Sequence, residues 1–145
     1  MTFEQEELQQ RITAVDEIVQ NSTLLAGVTT QAELEQVLPE LMASLGNFAQ
    51  ADRAYLFALV PGSDHVLRMT HEWCAVNVRP TFSEMQNVAF EDMPNWYPRL
   101  CGGEAILAPD WDAEKESVPE EDALFDGQDI HSLIVIPLVS GKRLK

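Results

Sequence analysis

The first fifty residues alternate apolar and polar positions with a helical period. Leu8, Ile12, Val15 and Val19 recur at steps of four, three and four, with Glu, Gln, Arg and Asp between them. A stripe this narrow has the width of a coiled-coil seam, so the helix either packs on its own domain or pairs with a copy of itself. Gly27-Val28-Thr29 interrupts the pattern, and Thr30 with Glu33 forms a capping-box signature for a second helix. Its apolar positions are Leu34, Val37, Leu38, Leu41, Leu45 and Phe48, a broader stripe suited to covering a sheet. Pro39 falls inside this helix and is expected to kink it or split it in two.

From Arg53 the period changes to two. Residues 53–60 are rich in strand formers, Pro61-Gly62-Ser63-Asp64 makes a turn, and residues 65–73 alternate strictly. Leu67, Met69, His71 and Trp73 share one face and Val66, Arg68, Thr70 and Glu72 the other, which predicts an antiparallel hairpin with the first set turned inward. Residues 75–92 are irregular apart from a short strand near Asn87-Val88-Ala89-Phe90. Asp92 is expected to cap a short helix with Pro94 in its first turn, carrying Trp96, Tyr97 and Leu100 and stopping at Gly102-Gly103. Residues 104–108 read as a strand. Ser117 and Glu120 form a second capping box ahead of Leu124, Phe125 and a terminating Gly127. Residues 132–139 make the strongest strand of the chain, followed by a turn at Ser140-Gly141-Lys142 and a last strand beginning at Arg143-Leu144-Lys145. This order predicts an α+β domain built on one antiparallel sheet.

Composition narrows the classes of partner. The 145 residues suit one domain, and a chain of this length buries roughly 68% of its unfolded surface. Acidic side chains outnumber basic ones 24 to 9, for a net charge of −15, which argues against nucleic acid or an anionic membrane as partner. The 46% of hydrophobic residues argues against disorder, and no apolar run reaches the ~18–20 residues of a membrane span. Met1-Thr2-Phe3-Glu4-Gln5-Glu6-Glu7 is acidic where a signal peptide is basic and then apolar, so a cytoplasmic location is expected.

Catalytic signatures are weak. Cys74 follows Glu72, whose charge raises a thiol pKa, and Cys101 lies at the C-terminal end of its helix, the wrong end of the dipole for a thiolate. The serines lie in no nucleophile-elbow context, and no Gly-rich phosphate loop is present. His65, His71 and His131 show no paired ligand spacing, and no metal is expected. His71 is the notable one, since alternation places it beside Met69 and Trp73, either as a satisfied core histidine or as a ligand contact. Residues 110–129 hold nine acids and one lysine without the spacing of a calcium loop, and read as a solvated face. What remains is an aromatic set, Trp73, Phe90, Trp96, Tyr97 and Trp111, on segments expected to fold over one face of the sheet. With His71 these residues either line a small-molecule pocket or form a mini-core beneath a long connection.

Three stretches carry a family resemblance. Ala51-Asp52-Arg53-Ala54-Tyr55-Leu56-Phe57 after a long helix resembles the entry to the first strand of a GAF domain. Thr70-His71-Glu72-Trp73-Cys74 is similar to the second strand in a bacterial subgroup, and residues 106–110 with residues 128–138 resemble the later half of the domain. The likeness covers residues 30–145 and leaves residues 1–29 as an N-terminal dimerisation and signalling helix. It implies an antiparallel GAF/PAS-like sheet with the N-terminal helices on one face and loops and short helices on the other. It also implies a regulatory module, not a catalyst, that binds a small molecule and relays a signal to an output domain such as a diguanylate cyclase, phosphodiesterase or histidine kinase. A homodimer through Leu8, Ile12, Val15 and Val19 follows from the same likeness.

The departures from the family matter too. Bilin-binding members attach the pigment through a cysteine followed by histidine, whereas Cys74 precedes Ala75 and Cys101 precedes Gly102, so no covalent bilin is expected and the cofactor is left unassigned. A ligand-free relay module is the main alternative. A thiol enzyme resembling free methionine sulfoxide reductase ranks below it, because neither cysteine falls on a catalytic position of that enzyme. In the family a further strand pairs with the first, so a chain ending at Lys145 is expected to be truncated before its last central strand.

Overall fold

The structure, a computed structural model, describes residues 1–140 together with Arg143 and Leu144; the Gly141-Lys142 part of the expected turn and the final Lys145 lie outside the described residues. Helix α1 spans Phe3–Ala26 and α2 spans Gln31–Phe48. Both open with reciprocal capping boxes, Thr2 with Gln5 and Thr30 with Glu33, each satisfying two backbone donors that the helix itself leaves open. Strand β1 (Arg53–Leu59) and β2 (Val66–Cys74) flank a turn in which Gly62 takes φ +83, and the Ser63 hydroxyl accepts from the amides of His65 and Val66. Strand β3 (Val88–Ala89) pairs antiparallel with β2, Val66 opposite Ala89 and Leu67 opposite Val88.

The remaining elements are short. They are α3 (Tyr97–Cys101), β4 (Ile106–Ala108), α4 (Trp111–Glu114), α5 (Pro119–Leu124), β5 (Leu133–Val135), β6 (Val139–Ser140) and β7 (Arg143–Leu144). The α+β architecture is present, with the hydrogen bonding among the described residues divided among three antiparallel ladders, β1-β2-β3, β4-β5 and β6-β7, where one sheet was expected. No helix among the described residues is long and apolar enough to cross a membrane.

The chain forms two compact units. The first comprises Met1–Leu56 and Thr70–Pro80; the second comprises Phe57–Met69 and the residues from Thr81 onward, so β1 and β2 each contribute to both. In the first unit α1 turns Ala14, Glu17, Asn21 and Leu24 inward, and the Ser44 hydroxyl of α2 donates to Glu17 at 2.9 Å. Helix α2 buries Leu38, Met42 and Gly46, positions four apart. In the second unit the core is Leu67, Met69, Met85, Val88, Phe90, Met93, Trp96, Leu100, Ile106, Ala108 and Trp111.

Several local expectations are corrected. Helix α2 runs through Pro39 without splitting: the lost backbone bond costs about 3 kcal/mol, and burial of Leu38 and Met42 on the two sides offsets it. Leu45 and Phe48 are exposed, because the buried line advances from Leu38 by steps of four. Asp92 does not cap α3; its carboxylate accepts from the Ala89 amide in the tight turn Phe90–Asp92, and the helix begins later. Ser117 donates back to the Glu114 carbonyl at 2.7 Å instead of capping α5, which starts on Pro119. Ile136, Pro137 and Leu138 leave the ladder, so the strongest apolar run yields the three-residue β5 and, at Val139, the start of β6.

Candidate functional site

The second unit holds four of the six expected site residues, in two ring contacts. Trp96, 3% exposed, meets Trp111, 2% exposed, with centroids 5.6 Å apart and planes tilted 60°. Trp96 also meets Phe125 at 5.9 Å. Phe90 and Tyr97 stack at 4.1 Å, a separation that joins dispersion to apolar burial. The Tyr97 hydroxyl is pushed above its ordinary pKa, first by its hydrogen bond to Cys101, so the ring presents a neutral polar tip.

One buried carboxylate fixes this cluster. Glu121 of α5 is fully buried, and its Oε1 accepts from the amides of Asn95 and Trp96 at 2.7 and 2.8 Å. Its Oε2 accepts from Asn95 Nδ2 at 2.9 Å. A buried carboxylate without donors costs several kcal/mol, and three short bonds remove that cost here. The same bonds satisfy the amides that lead into α3 and hold the Trp96 backbone against α5. Nearby, Gln128 Nε2 reaches Met85 Sδ at 3.7 Å in the same buried core.

His71 and Trp73 belong to the first unit. His71 Nε2 lies 2.8 Å from Glu35 Oε2 of α2, and its Nδ1 lies 3.0 Å from Thr70 Oγ1. The Thr70 hydroxyl donates to the Leu56 carbonyl at 3.1 Å, so it accepts from the ring, and His71 is a fully partnered histidine. Its hydrogen bond holds the Glu35 carboxyl below the usual range. The Trp73 ring lies directly on the backbone of Gly46 in α2, a close approach that no larger residue permits.

The outer histidine of the second unit is held by acids. His131 Nδ1 lies 2.6 Å from Asp112 and Nε2 lies 3.1 Å from Asp129. These contacts, the Asp112 hydrogen bond foremost, raise its pKa, and Asp112 is correspondingly lowered. The Cys74 thiol is raised, by burial first and Glu72 second, which makes it a poorer nucleophile at neutral pH.

The sequence groups Trp73, Phe90, Trp96, Tyr97 and Trp111 with His71 as one set; the structure pairs Trp96 with Trp111 and Phe90 with Tyr97 and adds Phe125, Gln128 and Glu121, which the sequence reading does not include. Phe125 was readable as the last aromatic of an apolar helix end. Glu121 carries no local signal, since it sits between Glu120 and Asp122 and looks like its solvated neighbours. The unit brings together buried aromatic rings, three methionines able to repack (Met69, Met85 and Met93) and a few fixed polar groups. The GAF domain family model matches residues 33–144 of this chain. A search of curated proteins gives no match.

Proposed function

The chain belongs to the GAF domain family, whose members are in general regulatory sensor domains, and from that premise we propose that its sensing element is the aromatic cluster of the second unit. The ligand is a small molecule with a planar ring system that inserts beside Trp96 and Trp111. The carrying observation is the Glu121 clamp, which joins the Trp96 segment to α5 through three bonds within one unit. Displacing the tryptophan pair displaces α5, and a ligand that prefers one arrangement shifts the population toward it. The shift passes to an output domain of a cytoplasmic bacterial signalling protein, such as a diguanylate cyclase or histidine kinase.

Titrating purine nucleotides, cyclic nucleotides and free tetrapyrroles while following tryptophan emission tests this reading. A saturable change that disappears in Trp111→Leu, with Trp73 still reporting, is expected. No saturable response to any of these probes, together with an unchanged melting temperature, overturns the ligand role. The near-complete burial of Trp96, Trp111 and Glu121 favours the second reading in that event: a relay module whose aromatic cluster is a permanent core. The raised thiol pKa of Cys74 weighs against a thiol enzyme.

A further inference from the structure

The neighbours of His71 fix the hydrogens on its ring. The Thr70 hydroxyl commits its one proton to the Leu56 carbonyl at 3.1 Å, so toward His71 Nδ1, 3.0 Å away, it can only accept. Nδ1 therefore carries a hydrogen. Nε2 lies 2.8 Å from Glu35 Oε2, and an ionised carboxylate only accepts, so Nε2 carries a second one. This contact holds the Glu35 carboxyl below its usual range, which keeps the carboxylate ionised and leaves both hydrogens on the ring. The other Glu35 oxygen accepts from Gln31 Nε2 at 3.0 Å. The result is a charge-assisted imidazolium–carboxylate pair that joins β2 to α2 within the first unit.

Glu35 is also the residue that Pro39 weakens. In an α-helix the Glu35 carbonyl accepts from the amide of residue 39, and proline has no amide hydrogen. The interruption falls between two attachments of α2 to β2: Glu35 to His71 before it, and Gly46 against the Trp73 ring after it. Residues 31–38 are fewer than the ~12–15 that an isolated helix needs, and they bury one side chain, Leu38. We propose that the His71–Glu35 contact is a proton-gated tie: the first half of α2 is held on β2 while His71 carries two protons, and is released at a hinge formed by Glu35 and Pro39 when the ring loses one. A singly protonated ring bound to Thr70 turns a lone pair toward the carboxylate at 2.8 Å, and attraction becomes repulsion. The ring is 21% exposed, so protons exchange with solvent. Glu35 is the acid that meets it. The other titratable or charged groups of β1 and β2 here are Tyr55, Arg53, which donates to the Arg79 carbonyl at 3.0 Å, and Glu72 with Cys74, which alternation puts on the opposite face of β2. The device lies in the first unit and needs no ligand in the second.

NMR on the isotopically labelled 145-residue chain, across a pH series, tests the gate. Long-range proton–nitrogen spectra should show hydrogens on both His71 ring nitrogens, assigned by their loss in His71→Gln. A ring that is singly protonated at every pH at which the chain is folded overturns the proposal. As the ring loses its second proton, amide protection factors at residues 35–38 should fall on the order of fivefold while those at residues 43–47 hold. An equal fall along all of α2, or none, overturns the release. Glu35→Gln presents an N–H to the neutral ring and a carbonyl to the charged one, so protection should no longer follow the ring; a retained response overturns the role of Glu35. Pro39→Ala restores the missing helical bond and should shrink the fall, and an unchanged fall overturns the hinge. The Glu35 side chain is 49% exposed, and the amide signals themselves report that each variant is folded.

Discussion

The two units keep their shape by different means. Of the buried hydrophobic side chains among the described residues, only Leu38 and Met42 lie in the first unit, whose longest element buries nothing. Its helices rest largely on local devices, two capping boxes and the Arg11–Glu7 pair one turn apart, supplemented by the Ser44–Glu17 hydrogen bonding between α1 and α2 and by the contacts of α2 with His71 and Trp73. The second unit has helices of four to six residues, too short to form alone, and is specified by contacts between distant positions. A helix that is satisfied locally can leave an apolar face available, whereas short elements must spend every apolar residue on one another.

Breaking the second unit gives the largest effect. Trp96→Ala should cost about 3–5 kcal/mol, and Glu121→Leu a similar amount by orphaning the Asn95 and Trp96 amides. Urea denaturation followed by tryptophan emission measures both. Glu121→Gln, which keeps the shape, should cost less than Glu121→Leu; equal costs would show that the charge, and not the bonding, holds the segment. If Glu121→Leu costs under about 1 kcal/mol, the contrast between locally and distantly specified units fails.

Gly46→Ala sharpens the comparison from the other side. Alanine in a helix interior ordinarily gains about 0.5–1 kcal/mol over glycine. Here the added methyl collides with the Trp73 ring, and a net loss of about 1–3 kcal/mol is expected, with altered Trp73 emission. A net gain would mean that this contact contributes nothing to the first unit.

The smallest effect is the pH response of His131. Its pKa is raised in the fold by Asp112, so its contribution is complete below the unfolded imidazole value of about 6.5 and is lost as pH rises through the folded value. Asp112, lowered by the same contact, contributes above its unfolded value and loses that contribution as pH falls through its folded one. NMR titration should place His131 above an ordinary histidine, and Asp112→Asn should return it toward that value. Because the pair is exposed, the melting temperature should change little.

How much of this was legible follows from where each signal resides. The Thr30–Glu33 box, the Gly62 turn and the alternation through β2 are written within a few residues, and each element forms where its signal lies. Asp92 and Ser117 carried equally good local signals and failed, because a nearby backbone carbonyl or amide took up each side chain first. The aromatic residues were readable as a set, but neither their pairing nor the partner that organises them was. Glu121 acts 25 positions away from Trp96, and one acid within a run of nine gives no hint of being buried. His71 and Trp73 were grouped with the other aromatics by strand alternation, while their contacts within the first unit are with α2.

The Glu121 clamp also bears on the order in which the chain folds. Capped helices form on the microsecond scale from neighbouring residues, but the clamp must close a loop of about 25 residues before it returns any energy. If its bonds close after the folding transition state, Glu121→Gln speeds unfolding and leaves folding almost unchanged; if they close before it, folding slows instead, and stopped-flow measurement of both limbs distinguishes the two. One carboxylate thereby reports whether the lifetime of the folded second unit is set apart from the speed at which it is made.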